Sequence, residues 1–252
     1  MPPSAVKSTI GIPFTELFTI NSTNIYAMDK LQANLAAHGA AFFAWEQTEG
    51  KGQIGKQWLT KKGENCLLSL ILDTSFLMIG QQFRISVAVA LACYDCLSPY
   101  INEDLSIKWP NDIYWRDRKT GGILIENNLS GVKWQWSIVG VGLNINQTKF
   151  PEMLNKAVSL KQITGKNHDP LKIAKEFCVC LNTRYESLKN GDFTDLLSEF
   201  NNKLYKRGEL VTIKKNNILS NYLIKSVTEN GELVAEAGIE HHFLHGSVKW
   251  IG

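Results

Sequence analysis

One segment combines three glycines with two lysines and is therefore suited to holding an anion. It reads Gly50-Lys51-Gly52-Gln53-Ile54-Gly55-Lys56. Glycine lets the backbone approach a ligand and expose its N–H groups, and the lysines add positive charge, which favours a phosphate or a carboxylate. A surface loop with solvated lysines explains the segment equally well when it is taken alone. The spacing also matches the dinucleotide fingerprint, but no strand runs directly into the first glycine and no apolar helix follows the last, which disfavours a Rossmann turn.

A second segment, Lys108-Trp109-Pro110-Asn111-Asp112, places an amide and a carboxylate side by side after a short strand. The carboxylate of Asp112 suits a metal ion or a proton transfer. The amide of Asn111 offers a donor and an acceptor, which reading an adenine edge requires. An ordinary Asn-Asp turn after proline is the alternative.

Two further segments place a lysine or an asparagine next to glycines. In Lys119-Thr120-Gly121-Gly122 the glycines open a strand, so no bulky side chain competes with the lysine, and its ammonium could bridge a carboxylate and a phosphate. A solvated lysine on a hairpin is the alternative. In Val139-Gly140-Val141-Gly142-Leu143-Asn144 a β-run of small residues ends at an asparagine.

Regular elements must position these residues, and hydrophobic periodicity predicts most of them. We predict strands over residues Phe14–Ile20, 40–45, 66–72, 106–108, 122–127 and 134–146, the last two joined by a turn at Gly131. We predict helices over residues 25–38, Gln82–Leu97, 171–188 and 193–200. The glycine-rich segment 46–62 is predicted to be a loop.

The residue pattern of the sequence changes after Tyr205. Short β-runs over residues 210–214, 222–227, 233–237 and 246–251 alternate with the turn signals Asn216-Asn217 and Asn230-Gly231. This pattern predicts a small barrel-like β-domain after a larger domain of sheet and helices. We place the division so that the first domain spans residues 1–203 and the second spans residues 204–252.

Composition excludes several classes of protein. The chain has 252 residues, 44% of them hydrophobic and 20% charged, which is typical of a globular protein and excludes disorder, collagen and coiled coil. A net charge of +3 is too small to indicate nucleic-acid binding by itself. Five cysteines at irregular spacing predict reduced thiols, and the Cys93-x-x-Cys96 pair falls in an apolar helix. With no apolar leader in residues 1–7 and no long apolar run, a cytoplasmic location is expected.

Taken together, in their order and spacing, these segments resemble the biotin–protein ligases, also called biotin–[acetyl-CoA carboxylase] ligases. The family pattern is Ser-Thr-Asn near the start, a glycine-basic loop ending in tryptophan, K-W-P-N-D, K-x-x-G-I-L and G-x-G-x-N. The matching positions are 22–24, 46–58, 108–112, 119–124 and 140–144. The resemblance covers nearly the whole chain.

The resemblance implies a fold and an activity. The implied fold class is α+β, a mixed sheet flanked by helices as in class II aminoacyl-tRNA synthetases, with a C-terminal SH3-like β-barrel. The implied reaction converts biotin and MgATP to biotinyl-5′-AMP and pyrophosphate, then moves biotin to a lysine of a biotin carboxyl carrier domain. A carboxylate that attacks an α-phosphate brings two anions together, so the site must supply cations and backbone donors.

The resemblance also implies roles for individual residues. Catalytic roles fall to Lys119, Asp112 and Lys51. Biotin would contact Ser22, Thr23, Asn24, Gln47, Gly50, Lys51, Gly52, Gln53, Lys119 and Gly122. ATP and the adenylate would contact Lys51, Gln53, Lys56, Trp58, Asn111, Lys119 and Asn144, with residues 150–160 over the adenine. Asp112 would hold Mg²⁺ or assist deprotonation of the incoming lysine, whose free pKa is near 10.4.

The chain departs from the family pattern in three places. Its loop carries Lys51, Gln53 and Lys56 where many relatives have arginines, so a charge is missing at position 53. About 20 residues precede Ser22, so we expect no winged-helix DNA-binding domain and no operator binding. The run His241-His242-x-x-His245 resembles a metal motif, but surface or partner-contacting histidines are expected.

Three other readings stay open. A lipoate–protein ligase or octanoyltransferase would share the fold, although the loop and K-W-P-N-D favour biotin. A non-catalytic biotin- or nucleotide-binding module would not need the full set of cationic and carboxylate residues. A nucleic-acid binder is disfavoured because the chain lacks a basic and aromatic stripe. The expected protein partner is a carrier domain of a biotin-dependent carboxylase; the protein itself is expected to be a monomer or a weak homodimer, and its loop at Gly50 to be mobile without ligand.

Overall fold

Two β-sheets and five α-helices make up the part of the chain that the structure describes. The structure is a computed structural model and describes residues 10–53, 55–101, 103–130 and 133–251. The strands are β1 (Phe14–Ile20), β2 (Ala41–Gln47), β3 (Asn65–Asp73), β4 (Leu105–Lys108), β5 (Asp112–Trp115), β6 (Arg118–Ser130), β7 (Lys133–Asn144), β8 (Leu210–Lys215), β9 (Ile218–Val227), β10 (Leu233–Ala237), β11 (Ile239–Phe243) and β12 (Lys249–Ile251). The helices are α1 (Thr23–Gln32), α2 (Gln82–Leu97), α3 (Leu160–Thr164), α4 (Pro170–Lys189) and α5 (Phe193–Asn202), with short 3₁₀ turns at Ile79–Gln81 and Glu152–Leu154.

The larger sheet has seven strands in the order β1-β2-β3-β7-β6-β5-β4. Strands β1 and β2 are parallel, and the other neighbours are antiparallel. Successive residues of a strand point to opposite faces, so Phe42 packs with Ala27 and Leu31 of α1, whereas Phe43 belongs to the core formed with α2 and α4. The sheet is therefore mixed and covered by helices on both faces, which confirms the predicted fold class.

The C-terminal strands form a second, antiparallel sheet in the order β11-β10-β9-β8-β12. Asn216 and Asn217 connect β8 to β9 with φ angles of 49° and 66°, the geometry of a two-residue hairpin turn. The sequence pattern does not predict β11, which follows β10 after the single residue Gly238. Within the described residues no ladder joins β11 to β12, so the sheet is open where the sequence predicts a barrel.

Helix α1 ends at Gln32, and the prediction of a helix to residue 38 is wrong. The helix stops because Asn34 adopts a left-handed φ of 56°. The amides of Asn34 and Leu35 donate to the carbonyls of Leu31 and Lys30, which is the Schellman pattern that closes a helix. Asparagine adopts this conformation more readily than other residues that carry a Cβ.

Helix α3 was not predicted. It begins with a capping box, in which the Ser159 amide donates to Gln162 Oε1 at 3.0 Å and the Gln162 amide donates to Ser159 Oγ at 3.3 Å. These reciprocal bonds satisfy free amides at the start of the helix. The predicted turn at Gly131 lies outside the described residues.

The five cysteines are free thiols. Cys93 and Cys96 are buried on α2, where burial raises the pKa of both thiols. A thiol held in its neutral form is a poor nucleophile and metal ligand. Across the described ranges, no helix is both long enough and apolar enough to cross a bilayer.

His38 makes the stability of the fold depend on pH. Its ring stacks on Tyr185 at 4.9 Å, and its Nδ1 accepts a hydrogen bond from the Asp73 amide at 3.1 Å. Burial lowers the pKa of His38 below 6.5, so below that pH the unfolded chain binds the proton more readily than the folded one. We expect His38 to lower the free energy of unfolding on acidification below pH 6.5, and its own contribution to the slope is at most about 1.4 kcal/mol per pH unit. Urea unfolding at a series of pH values measures this slope.

The pKa of His242 is shifted in the opposite direction to that of His38, so its effect on the pH dependence of stability also has the opposite sign. It lies exposed between Glu232 and Glu240, and hydrogen bonds to these carboxylates raise its pKa. Its contribution is present at low pH and is lost as the pH rises through the folded-state pKa. The acid-side slope should therefore shrink in His38→Gln and not in His242→Gln. An unchanged slope in His38→Gln would contradict the assignment.

Candidate active site

A cavity of about 450 Å³ lies where α1, the loop after β2, strands β5 to β7 and the C-terminal sheet meet. It brings together nearly all of the residues singled out in the sequence. These are Ser22, Thr23, Asn24, Gln47, Lys51, Gly52, Gln53, Lys56, Trp58, Asn111, Asp112, Lys119, Gly122 and Asn144. The roles assigned to these residues stay predictions.

Gly50 is the exception, because it is buried outside the cavity lining. The Trp58 amide donates to the Gly50 carbonyl at 2.8 Å. A Cβ on Gly50 would come within 2.5 Å of the Trp58 carbonyl oxygen. Glycine is thus needed here for close approach of two backbone segments, and its predicted contact with biotin has no geometric support.

The loop between Gly50 and Trp58 folds back on itself beside the cavity. Lys51 and Gln57 form an isolated antiparallel bridge, and the Gly52 amide donates to the Lys56 carbonyl at 2.7 Å. Gly55 closes the turn with φ of 70°, which favours glycine. Residue 54 lies outside the described part of the chain. The fold of the loop directs a small number of basic and amide side chains at the cavity.

A network of polar contacts occupies the end of the cavity next to α1. Gln47 Oε1 accepts hydrogen bonds from the Thr23 amide at 2.7 Å and the Thr23 hydroxyl at 3.0 Å. Ser69 Oγ lies 2.7 Å from Thr23 Oγ1 and donates to Asn24 Oδ1 at 2.5 Å. Asn24 Nδ2 donates to Glu126 Oε2 at 2.7 Å. These contacts preorganise the cluster, which suits recognition of a neutral group with both donors and acceptors.

Sequence reasoning missed two members of this network. Ser69 interrupts the apolar strand β3, and that hydroxyl in an otherwise apolar run is a signal that could have found it. Glu126 gave no signal, since alternating polar residues are normal on a half-buried strand. Ser22 is the N-cap residue of α1, yet its hydroxyl makes no cap hydrogen bond and lines the cavity instead.

Glycines form the floor of the cavity. Gly122 and Gly142 are cross-strand partners on β6 and β7. The indole of Trp58 lies directly over both glycines. A Cβ added to Gly142 would come within 2.5 Å of the ring, and one added to Gly122 would come within 3.0 Å. The buried Trp58 Nε1 has no hydrogen-bond partner among the described residues. The bare floor thus makes room for an aromatic ring directly on the sheet.

Lys119 and Asp112 form an ion pair beside this floor. Lys119 Nζ lies 2.6 Å from Asp112 Oδ1 and 5.3 Å from the centroid of the Trp58 ring. The backbone of Lys119 is held on both sides, since its amide donates to the Lys156 carbonyl at 2.7 Å and its carbonyl accepts from the Val158 amide at 2.9 Å. The ammonium is therefore placed by a rigid strand and not by a free loop.

The two predicted adenine-contacting asparagines both support the backbone in this structure. Asn111 Nδ2 donates to the Ile123 carbonyl at 2.7 Å, and Asn144 Nδ2 donates to the Lys119 carbonyl at 3.3 Å. Their amides connect the strands that carry the ion pair. From the predicted adenine-covering segment 150–160, Phe150, Leu154 and Ala157 line the cavity.

The C-terminal sheet completes the cavity wall, which sequence reasoning did not foresee. His245, Gly246, Val248, Lys249 and Trp250 line the cavity. On the sheet side, Trp109 Nε1 donates to the Gly231 carbonyl at 2.9 Å. This bond connects the K-W-P-N-D segment directly to the turn between β9 and β10.

The three clustered histidines point in different directions. The His241 ring packs edge-on against Tyr222 at 5.2 Å, His242 lies between two glutamates, and His245 lines the cavity. Across the described residues, no group of three or more potential ligating side chains could hold a metal ion. The histidine spacing therefore does not correspond to a shared site in the described structure.

The cavity is strongly cationic. Among the described residues, one carboxylate, that of Asp112, and five lysines line it; the lysines are Lys51, Lys56, Lys108, Lys119 and Lys249. Opposite charges attract strongly in a partly desolvated cleft. The fold and the cavity together define a cation-rich site for an anionic small molecule on a helix-covered mixed sheet.

Comparison with known proteins identifies the family. The sequence profile of the Biotin/lipoate A/B protein ligase family matches residues 17–144, and the chain belongs to this family. It is 30% identical over 180 residues to the bifunctional ligase/repressor BirA of Bacillus spizizenii, covering 70% of this chain and 55% of that protein. It is 26% identical over 220 residues to the biotin–[acetyl-CoA-carboxylase] ligase of Paracoccus denitrificans, covering 85% and 90%.

Solved structures share the fold. The biotin protein ligase of Aquifex aeolicus in complex with biotin and ATP superposes with a TM-score of 0.79 at 24% identity, covering 94% of this chain and 97% of that one. The chain spans about half the length of the two Bacillus BirA proteins that it matches, 55% and 52%.

Proposed function

We propose that the protein activates biotin with ATP and transfers it to a lysine of a biotin carboxyl carrier domain. The observation that carries this proposal is the Lys119–Asp112 ion pair, 2.6 Å long, on the glycine floor of a cavity with five lysines. Such a site offsets the repulsion between a carboxylate and a phosphate. The names of the Paracoccus and Aquifex proteins support biotin as the acid, in preference to lipoate.

In the first step a biotin carboxylate oxygen attacks the α-phosphorus of ATP. The bond from the α-phosphorus to the bridging oxygen breaks, and pyrophosphate leaves with the electron pair. Lys119 leaves Asp112 and contacts both the carboxylate and the α-phosphate, which lowers their mutual repulsion. Lys51 and Lys56 on the loop add further positive charge.

In the second step the acceptor lysine nitrogen attacks the carbonyl carbon of biotinyl-AMP. The carbon–oxygen bond to AMP breaks, AMP leaves, and the nitrogen loses a proton. Asp112 is the carboxylate that lines the cavity and can accept this proton directly or through water. A free lysine amine is protonated at neutral pH, so the transfer needs such a base or a dry site.

The remaining groups divide between the two substrates. The network from Gln47 through Thr23 to Asn24 offers the paired donors and acceptors that a ureido ring requires, and we assign Ser22 and Gly122 of the cavity lining to the same substrate. We assign Asn111, Asn144, Trp58 and Phe150, which also line the cavity, to the nucleotide.

The residues present also fit Mg²⁺. This ion binds proteins through one or two carboxylates and takes its other ligands from substrate phosphates and water. Asp112 is the carboxylate that the cavity supplies. Bound there, Mg²⁺ would neutralise charge on the nucleotide phosphates.

ATP–pyrophosphate exchange tests the proposal. Exchange that depends on added biotin supports it. Exchange with lipoate alone would move the protein to the sister activity, and no exchange with either acid would leave a binding module. Transfer to a purified carrier domain tests the second step.

Because the substrates are ATP and a carboxylase domain, we infer a cytoplasmic location. We also propose a catalytic domain over residues 1–203 and a second domain over residues 204–252.

Gln53 allows a direct test of the loop. We expect Gln53→Arg to slow the release of biotinyl-AMP about 10- to 100-fold, because a charge-assisted hydrogen bond to phosphate is worth about 1.5–3 kcal/mol. The decay of the preformed complex measures the rate. Gln32→Arg, exposed on α1 away from the cavity, is the matched control. An unchanged off-rate in Gln53→Arg would overturn the idea that this position retains the adenylate.

A further inference from the structure

Lys108 is a half-buried cation in an aromatic cage formed by Tyr114, Tyr205 and Trp250. Its Nζ lies 4.5 Å, 5.2 Å and 5.3 Å from the three ring centroids. The rings come from β5, from the segment after α5 and from β12, so the cage spans both sheets. The side chain also lines the cavity. The proposed two-step mechanism gives Lys108 no role of its own.

The Lys108 ammonium has few polar partners. It donates to the Tyr114 hydroxyl at 3.3 Å, a long hydrogen bond. Among the described residues no carboxylate forms an ion pair with it. Asp112, its cross-strand partner, pairs with Lys119, and Asp117 pairs with Lys206. A desolvated cation without a counter-ion is costly.

The charges around Lys108 act in both directions, and its burial dominates. Burial is the main cause that lowers the pKa of Lys108 to about 8; the carboxylates of Asp112 and Asp117 oppose this effect, and the nearby cations Lys156 and Lys119 reinforce it. Ring faces attract a cation, yet they do not replace the lost hydration fully. The side chain is thus poised for an anion that arrives with a ligand.

We propose that Lys108 Nζ binds the β- and γ-phosphates of ATP and stabilises the leaving pyrophosphate. This assignment rests on the proposed function. Lys119, on the glycine floor, serves the α-phosphate, and Lys108 lies on the side where the C-terminal sheet closes the cavity. Lys51, Lys56 and Lys249 are exposed, so their charges are weaker contributors than a desolvated ammonium.

The test separates the two half-reactions of the purified, full-length protein. Lys108→Met keeps the bulk of the side chain in the cage and removes the charge, and Lys108→Arg keeps the charge. Lys175→Met is the matched control, because Lys175 Nζ lies 5.4 Å from the Phe14 ring and away from the cavity. The measurements are the KM for ATP and for pyrophosphate in exchange, the rate of transfer from preformed biotinyl-AMP, the Kd for biotin and the melting temperature.

We expect Lys108→Met to raise the KM for both ATP and pyrophosphate about 10- to 100-fold. Transfer from preformed biotinyl-AMP, which contains no β- or γ-phosphate, should change less than about twofold, as should the Kd for biotin. Lys108→Arg should recover part of the loss. An unchanged KM for ATP would overturn the proposal. Equal loss of both half-reactions with a lowered melting temperature would also overturn it, because that pattern indicates a purely structural cage.

Failure of the proposed function gives a different result. In that case the unsubstituted protein shows no biotin-dependent exchange at all. Calorimetric titration with pyrophosphate alone still tests Lys108 then. Weaker binding in Lys108→Met than in the unsubstituted protein supports the assignment, and equal binding refutes it.

Discussion

Replacing Lys119 with methionine should reduce biotin-dependent ATP–pyrophosphate exchange about 1,000-fold or more. The two reacting groups are anions, and Lys119 is the ammonium on the cavity floor, 2.6 Å from Asp112 in the resting structure. Removing one donor that stabilises charge in a transition state costs about 100- to 1,000-fold, and removing a cation from phosphoryl transfer costs about 1,000- to 100,000-fold. Methionine fills a similar volume beside Trp58, so packing should change little.

Three controls separate chemistry from structure in this experiment. Lys172→Met removes an exposed lysine of α4 whose nearest carboxylate is 3.8 Å away, and it should leave exchange unchanged. Lys119→Arg keeps the charge with a different donor geometry and should recover a minority of the activity. The melting temperature reports whether the unpaired Asp112 destabilises the fold. Exchange within tenfold of the unsubstituted protein in Lys119→Met would refute the catalytic role of Lys119.

Replacing Gly140 with alanine should disrupt the polar end of the cavity. The added Cβ would lie 2.3 Å from Asn24 Oδ1 and 3.0 Å from Asn24 Cγ. The Asn24 amide cannot move away freely, because Ser69 holds its oxygen at 2.5 Å and Glu126 holds its nitrogen at 2.7 Å. Overpacking of this kind costs about 1–3 kcal/mol of stability. Displacing the amide also breaks the network that reaches Thr23 and Gln47.

We expect Gly140→Ala to lower the free energy of unfolding by about 1–3 kcal/mol and to raise the Kd for biotin about 10- to 100-fold. Urea unfolding and calorimetric titration with biotin measure the two effects. Gly80→Ala is the matched control, since a Cβ there would meet nothing within 4 Å. In the double variant with Asn24→Ala, stability should recover while biotin binding stays weak. Normal biotin affinity in Gly140→Ala would contradict the proposed ligand for this cluster.

Local signals in the sequence were sufficient for most elements of the fold. Strand β1 and helix α2 have the predicted bounds, because an apolar run or a helical period is a property of neighbouring residues. The end of α1 was less predictable. Asn34 supplies the left-handed residue, yet apolar residues at a helical spacing continue after it, so the local pattern favoured a longer helix.

The candidate site divides in the same way. The motifs around Lys51, Asn111, Asp112 and Lys119 are contiguous in the sequence, and their residue types already indicate anion chemistry. Ser69 and Glu126 contact Asn24 across 45 and 102 residues of sequence. Lys108 is part of the K-W-P-N-D motif, but its cage requires Tyr205 and Trp250 from the other end of the chain. No local pattern encodes such contacts.

The sequence by itself determined the positions of most strands and helices and the residue types that bring positive charge and glycines together, whereas the fold class was implied by the resemblance of its motifs to a family. These follow from spacing along the chain, since secondary structure and short motifs depend on near neighbours. Only the tertiary structure decided that Gly50 lies outside the cavity, that Asn111 and Asn144 hold the backbone, and that the C-terminal sheet closes the site over Lys108. These three features depend on packing between segments that are far apart in the sequence. The energy of each side chain there is determined by residues that become its neighbours only when the chain folds.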